Sequence, residues 1–137
     1  MSILGTDNIA LTQESANEAS VEASLSFLSG QESTYTENLL DDWFAQMLHL
    51  DRNKKKTCKT HRDNLERLMK HAAVPPWKLR KQHVVKFFES RVVPETGEPL
   101  AASTVAGYCS SWRSFQSFML ELDRVNEIVR AFNVRPE

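Results

Sequence analysis

The sequence predicts an all-α protein, a compact bundle of four to five helices. Three observations carry this expectation. Apolar residues recur at three- and four-residue spacing through most of the chain after residue 33. No stretch alternates polar and apolar residues as a half-buried strand does. Four of the five prolines gather in two short segments, "VPPW" and "VVPETGEPL", which separate the periodic stretches.

A first helix is expected from Thr34. "TYTE" has the capping-box form, with Glu37 three residues after Thr34. Leu39, Leu40, Trp43, Phe44, Met47 and Leu48 then share one face, and the pattern runs out near His49–Asp51. Asp41 and Asp42 read as compensation of the helix dipole. The second helix is expected around Thr57, led in by Asn53 to Lys56. Its apolar side is Cys58, His61, Leu65, Leu68, Met69 and Ala72. "VPPW" stops it, because proline neither continues a helix nor tolerates a helical residue before it. A third helix, Lys81 to Arg91, turns Val84, Val85, Phe87 and Phe88 inward but has no good N-cap residue.

The longest helix is expected over Ala101 to Leu122. At about 100° per residue, Val105, Tyr108, Cys109, Trp112, Phe115, Gln116, Met119 and Leu122 share one arc. The opposite arc carries Ser103, Gly107, Ser110, Ser111, Ser114 and Ser117, with Arg113 on its flank and Phe118 intruding. A short helix from Asn126 to Phe132 closes the set. Three regions follow: an acidic, mostly disordered tail at 1–33, a helical domain at 34–132, and a linker or tail at 133–137.

Charge is distributed unevenly along the 137 residues, although the net charge is only -1. Residues 1–51 hold nine acids and no Lys or Arg. Residues 52–91 hold thirteen bases against three acids, and residues 92–137 four bases against six acids. A block this basic suggests a polyanion partner. The acidic tail is expected to compete with that partner for the basic block at low ionic strength.

Several function classes find no support. No run of about 18 apolar residues is present, so no membrane span is expected. Cys58 and Cys109 form no metal spacing and read as buried thiols of a reducing compartment. The histidines make no metal pattern, and His61 sits on an apolar face as a satisfied core histidine does. There is no Gly-rich phosphate loop and no GxSxG, so no metal, cofactor or catalytic residue is expected.

Two polar surfaces remain. Lys54, Lys55, Lys56, Lys59 and Arg62 crowd the start of the second helix, where cations oppose the dipole. A phosphate there would gain from the dipole, the free amides and the lysines together; the alternative is a solvated charge run. The long helix presents small hydroxyl residues and glycine where solvent-facing helices carry Lys and Glu. Such a stripe suits close approach to a phosphate backbone or packing against another helix or a partner protein.

In this order and spacing the residues resemble the N-terminal core-binding (SAM-like) domain of the tyrosine recombinase or phage integrase family. The resemblance covers Glu37 to Arg135 and rests on "ENLLDDWFAQML", "RNKKKTCKTHRDNLERL", "RKQHVVKFFESR" and "GEPLAASTVAGYCSSWRSFQSFML". It implies a SAM-like helical bundle that clamps one face of a recombination-site duplex. It further implies that the N-terminal ends of the second and fourth helices meet DNA, through Thr57, Lys59, Thr60, Ser103, Thr104 and Gly107. Charge and face add Lys54, Lys55, Lys56, Arg62, Ser110 and Arg113. The expected partners are double-stranded DNA and other recombinase protomers, with no membrane, in the cytoplasm or on a prokaryotic nucleoid.

The chain departs from the family in one large respect. The Arg, Lys, His-x-x-Arg and nucleophilic Tyr of the family's catalytic domain are not in this sequence, and Tyr35 and Tyr108 lack their context. By itself the chain is therefore expected to bind DNA without cutting it. A helical protein-interaction adapter that does not bind DNA is the alternative. A helix-turn-helix regulator fits less well, because the connection from the second to the third helix is long and proline-broken.

Overall fold

The computed structural model describes residues 25–91, 97–98 and 100–137. Among them are five α-helices, one 3-10 turn and no strand. The helices are α1 Gly30–His49, α2 Lys55–Ala72, α3 Lys81–Glu89, α4 Ala102–Met119 and α5 Leu122–Phe132. The 3-10 turn, Pro76–Lys78, joins α2 to α3. The expected all-α bundle is therefore the observed one.

α1 begins earlier than Thr34. Ser29 is its N-cap, accepting from the Glu32 amide at 3.2 Å, while Glu32 accepts from the Ser29 amide at 3.0 Å. The chain contains two boxes of the same form, at 29–32 and 34–37, and local spacing cannot rank them. Leu25 decides the matter by packing into the core, with Phe27 and Leu28 against it. Thr34 is left inside the helix, its hydroxyl donating to the Gly30 carbonyl. The rest of the expected tail, residues 1–24, lies outside the described residues.

α2 also starts early, at Lys55, with Lys54 as an N-cap that supplies no side-chain bond. It ends at Ala73, in left-handed conformation at φ 56°, just before Val74 and the two prolines. The stop falls where expected, but the aromatic after it has a role that no periodicity suggests. Trp77 is fully buried and stacks on Phe132 with ring centroids 4.3 Å apart. Tyr35 of α1 meets both rings edge-on, and its hydroxyl donates to Glu127 of α5 at 2.9 Å. The aperiodic "PPW" thus ties α1 to α5.

α3 starts where expected, at Lys81, with a histidine in place of the usual cap. The Arg80 amide donates to His83 Nδ1 at 2.8 Å, which ties the residue before the helix to its first turn. Val84 and Phe87 are buried, whereas Val85 is exposed.

α4 departs most from its periodicity. Its buried residues are Ser111, Trp112, Phe115, Phe118 and Met119. At 100° per residue this face is rotated by roughly 60° from the expected arc, toward Ser111 and Phe118. Cys109 and Gln116, expected inside, are only half-buried, and Leu122 is 70% exposed beyond the end of the helix. α4 stops at Met119 without Gly or Pro. Arg124 of α5 holds the break, donating to the Phe118 carbonyl at 3.1 Å and lying 3.6 Å above the Phe118 ring.

The segment after α5, expected as a linker, folds back onto the domain. Asn133 is left-handed at φ 55°, Val134 packs against the core and Pro136 is buried.

Candidate nucleic-acid interface

The two helix starts singled out by the sequence are both exposed and both lack a side-chain cap. At the head of α2, Lys54, Lys55, Lys56, Thr57, Lys59 and Thr60 are all exposed. Among the described residues none of these lysines enters an ion pair. The first main-chain bond of the helix runs from the Cys58 amide to the Lys54 carbonyl, at 3.0 Å. The amides of Lys55, Lys56 and Thr57 therefore point out of the helix end, into a positive potential set by the dipole and four lysines.

At the head of α4, Ser103 and Thr104 are exposed beside the uncapped amides of Ala102 and Ser103. No acidic residue lies in the first turn of either helix. A carboxylate there would ordinarily compensate the dipole. Gly107 follows one turn later, and a Cβ built on it meets nothing within 4 Å. The surface beside it is open.

The packing of α2 on α4 brings these two ends onto one unit. His61 Nδ1 lies 2.6 Å from Ser111 Oγ, and Asn64 Nδ2 donates to the same oxygen at 3.1 Å. The Ser111 hydroxyl donates to the Gly107 carbonyl at 3.0 Å. One hydroxyl hydrogen and two lone pairs are then all used, with His61 donating from Nδ1 as the neutral tautomer. Burial holds the His61 pKa below its usual value, which favours that neutral ring. From the His61–Ser111 crossing, a rise of about 1.5 Å per residue and an axis separation of about 8–10 Å put the two N-termini no more than about 25 Å apart. That is less than one turn of duplex DNA, about 34 Å.

Other expected residues have different places. Arg62 is committed within the molecule, with Nη1 2.7 Å from Asp41 and Nε 3.2 Å from Glu66. Asp41 is thus a partner of α2 and lies far from the start of α1, where dipole compensation would require it. Burial pushes the Glu66 carboxyl up, and Arg62 partly offsets this. Ser110 and Arg113 are exposed, but about 12 Å and 16 Å along α4 from its head. Two of the five serines of the stripe have an interior role: besides Ser111, Ser114 accepts from Trp43 Nε1 at 3.2 Å. This is the helix-packing alternative, realised at two of its positions.

Two residues escape the sequence reading. Arg67 and Lys70 are exposed and continue the strip of Lys56, Lys59 and Thr60 along the outer face of α2. Their spacing from Lys56, 11 and 14 residues, returns them to the same side of a 3.6-residue helix and is the signal that could have found them.

Residues 41–121 match the family described as phage integrase, N-terminal SAM-like domain. They run from the middle of α1 to the end of α4 and include both uncapped helix starts. No curated protein and no solved structure matches the chain. No described helix is long and apolar enough to cross a membrane. The matched segment is more than half of the chain and has the expected helices in the expected order, and the chain belongs to the phage integrase N-terminal SAM-like domain family, within the tyrosine recombinases.

Proposed function

We propose that the protein is the DNA-binding module of a site-specific recombinase, and that it grips duplex DNA through the N-terminal ends of α2 and α4. The observation that carries this reading is the pair of uncapped helix starts less than one duplex turn apart, one bearing four lysines that enter no ion pair among the described residues. Lys54, Lys55, Lys56 and Lys59 supply attraction to phosphates, and Thr57 and Thr60 supply hydroxyl donors beside them. Ser103, Thr104 and Gly107 allow the backbone of α4 to approach closely and donate from its amides. Ser110 and Arg113 extend this contact along α4, and Arg62 contributes by holding α2 to α1. Strand cleavage belongs to residues of a different kind, and the module itself only binds. The recombination-site duplex, other recombinase protomers and a location with the chromosome follow from the same reading.

The test is duplex binding followed by fluorescence anisotropy across a salt series. Affinity is expected to fall steeply with salt for any sequence, because bound lysines displace condensed counterions. A chain that showed no duplex affinity at low salt while co-purifying with a protein would support the adapter reading instead. That reading loses part of its surface to Ser111 and Ser114, which face inward.

A further inference from the structure

The apolar arc of α4 is wider than the core it meets. The half-buried Cys109 and the nearly buried Trp112 line an open groove of about 760 Å3, together with Arg80 and Lys81 at the head of α3 and Arg113. The volume falls within the range of about 300–1,000 Å3 typical of ligand clefts. The groove lies roughly 120° around α4 from Ser103 and Ser110. Its centre is therefore on a different side of α4 from Ser103 and Ser110, with Arg113 between the two.

A piece of polypeptide already sits at one end of it. Gln116 Nε2 donates to the main-chain oxygen of Glu137 at 3.3 Å, and Glu137 Oε1 stands 3.8 Å from Arg80 Nε. A side-chain amide and a guanidinium thus both face oxygens of one acidic residue of the chain. Lys81 and Arg113 enter no ion pair among the described residues.

We propose that this groove is the docking surface for the acidic segment of the same chain, residues 1–24. That segment carries Asp7, Glu14, Glu18 and Glu22 with no Lys or Arg, and has Ile9, Leu11 and Val21 to set against the Trp112 floor. It joins the described structure at Leu25, which is buried. At about 3.3 Å per extended residue, Glu14 can lie about 36 Å and Asp7 about 60 Å from that anchor, against a domain diameter of roughly 35 Å. Reach does not limit the contact. The lysines at the head of α2 are the competing site. They stand as separate hydrated charges on a convex helix end, where ion pairs are weak and screened. The groove is concave and adds an amide and an aromatic floor to its cations.

Cys109 lies in the groove and is half-buried, and Cys58 is fully buried, so the native thiols report on the contact. The experiment follows alkylation of Cys109 by iodoacetamide in the full chain, read by peptide mass. It compares the native protein with three variants: D7N/E14Q/E18Q/E22Q, K81A/R113A and K54A/K55A/K56A. At low ionic strength the first two are expected to react about threefold to tenfold faster than the native chain, and the third at the native rate. Near 1 M salt the native rate should rise to meet the first two. Loss of nearby cations by itself slows a thiol, so acceleration in K81A/R113A reads exposure. Cys58 should stay unreactive throughout, which checks the fold. The proposal is overturned if the acid-neutralised variant reacts at the native rate. It is equally overturned if the α2 lysine variant alone frees Cys109, or if protection depends on protein concentration, which would place the segment on a second copy.

Discussion

Helices α2 and α4 contribute the two halves of the proposed interface with opposite chemistry. α2 presents long cationic side chains at its head, and the lysines among them are all exposed. α4 presents small neutral side chains and a glycine with open space beside it. Cations act at a distance and set affinity and its salt dependence. Small hydroxyls act only on contact and set how close the backbone comes. The two helices also differ in how their polar residues are divided. On α2 the lysines all lie outside, whereas on α4 serines of one stripe go both ways, Ser111 and Ser114 inward, Ser103 and Ser110 outward.

The largest expected effect tests α2. Replacing Lys54, Lys55, Lys56 and Lys59 together by Ala should weaken duplex binding roughly a hundredfold or more near 0.1 M salt. The slope of log affinity against log salt should flatten by about 1 for each phosphate that no longer meets a lysine. An unchanged slope in the anisotropy series would remove α2 from the interface. Next comes the divided stripe. Ser111→Ala leaves His61 and Asn64 without their shared partner and should cost about 2–3 kcal/mol in urea unfolding. Ser103→Ala, on the same helix, should stay within about 0.5 kcal/mol. Equal losses at the two positions would mean that the stripe is not divided as described.

Gly107→Ala separates stability from binding more finely. A Cβ there meets nothing, so the substitution should stabilise the helix by up to about 1 kcal/mol. Duplex affinity should fall severalfold if a phosphate backbone approaches that face. Unchanged affinity would move the interface away from Gly107. The smallest effect is that of pH. Burial lowers the His61 pKa in the folded state, so the unfolded chain takes up its proton first as pH falls below 6.5. The His61 contribution to stability is therefore present above that value and lost below it. Stability of the native chain should decline between pH 6.5 and 5.5 more than that of His61→Gln, measured by thermal unfolding. Parallel curves would show that the ring is not desolvated.

Much of the fold is legible without tertiary information. α2, α3 and the proline stop follow from local rules: apolar spacing, and a residue type that cannot continue a helix. The start of α1 is not, because Ser29–Glu32 and Thr34–Glu37 satisfy the same box and only the burial of Leu25 separates them. The role of Trp77 is invisible in the sequence because it lies in no periodic segment. The cap of α3 escapes notice because His83, rather than a Ser or Asp, makes its bond. Among candidate site residues, the lysines stand where their charge suggests. Arg62 does not act as a free cation, since a sequence cannot show that Asp41, 21 positions earlier, lies 2.7 Å away.

The amino-acid sequence alone determined the all-α class, the basic block at the head of α2 and the likeness to integrase core-binding domains. Each depends on identity and spacing within a few turns of helix, which are local properties. Tertiary structure alone decided which serines of α4 are buried, which arginine is already paired, and where α4 leaves its apolar edge uncovered. These are outcomes of one helix meeting another. A rotation of about 60° in that meeting exchanges an inside residue for an outside one, and nothing in the periodicity of a single helix records it.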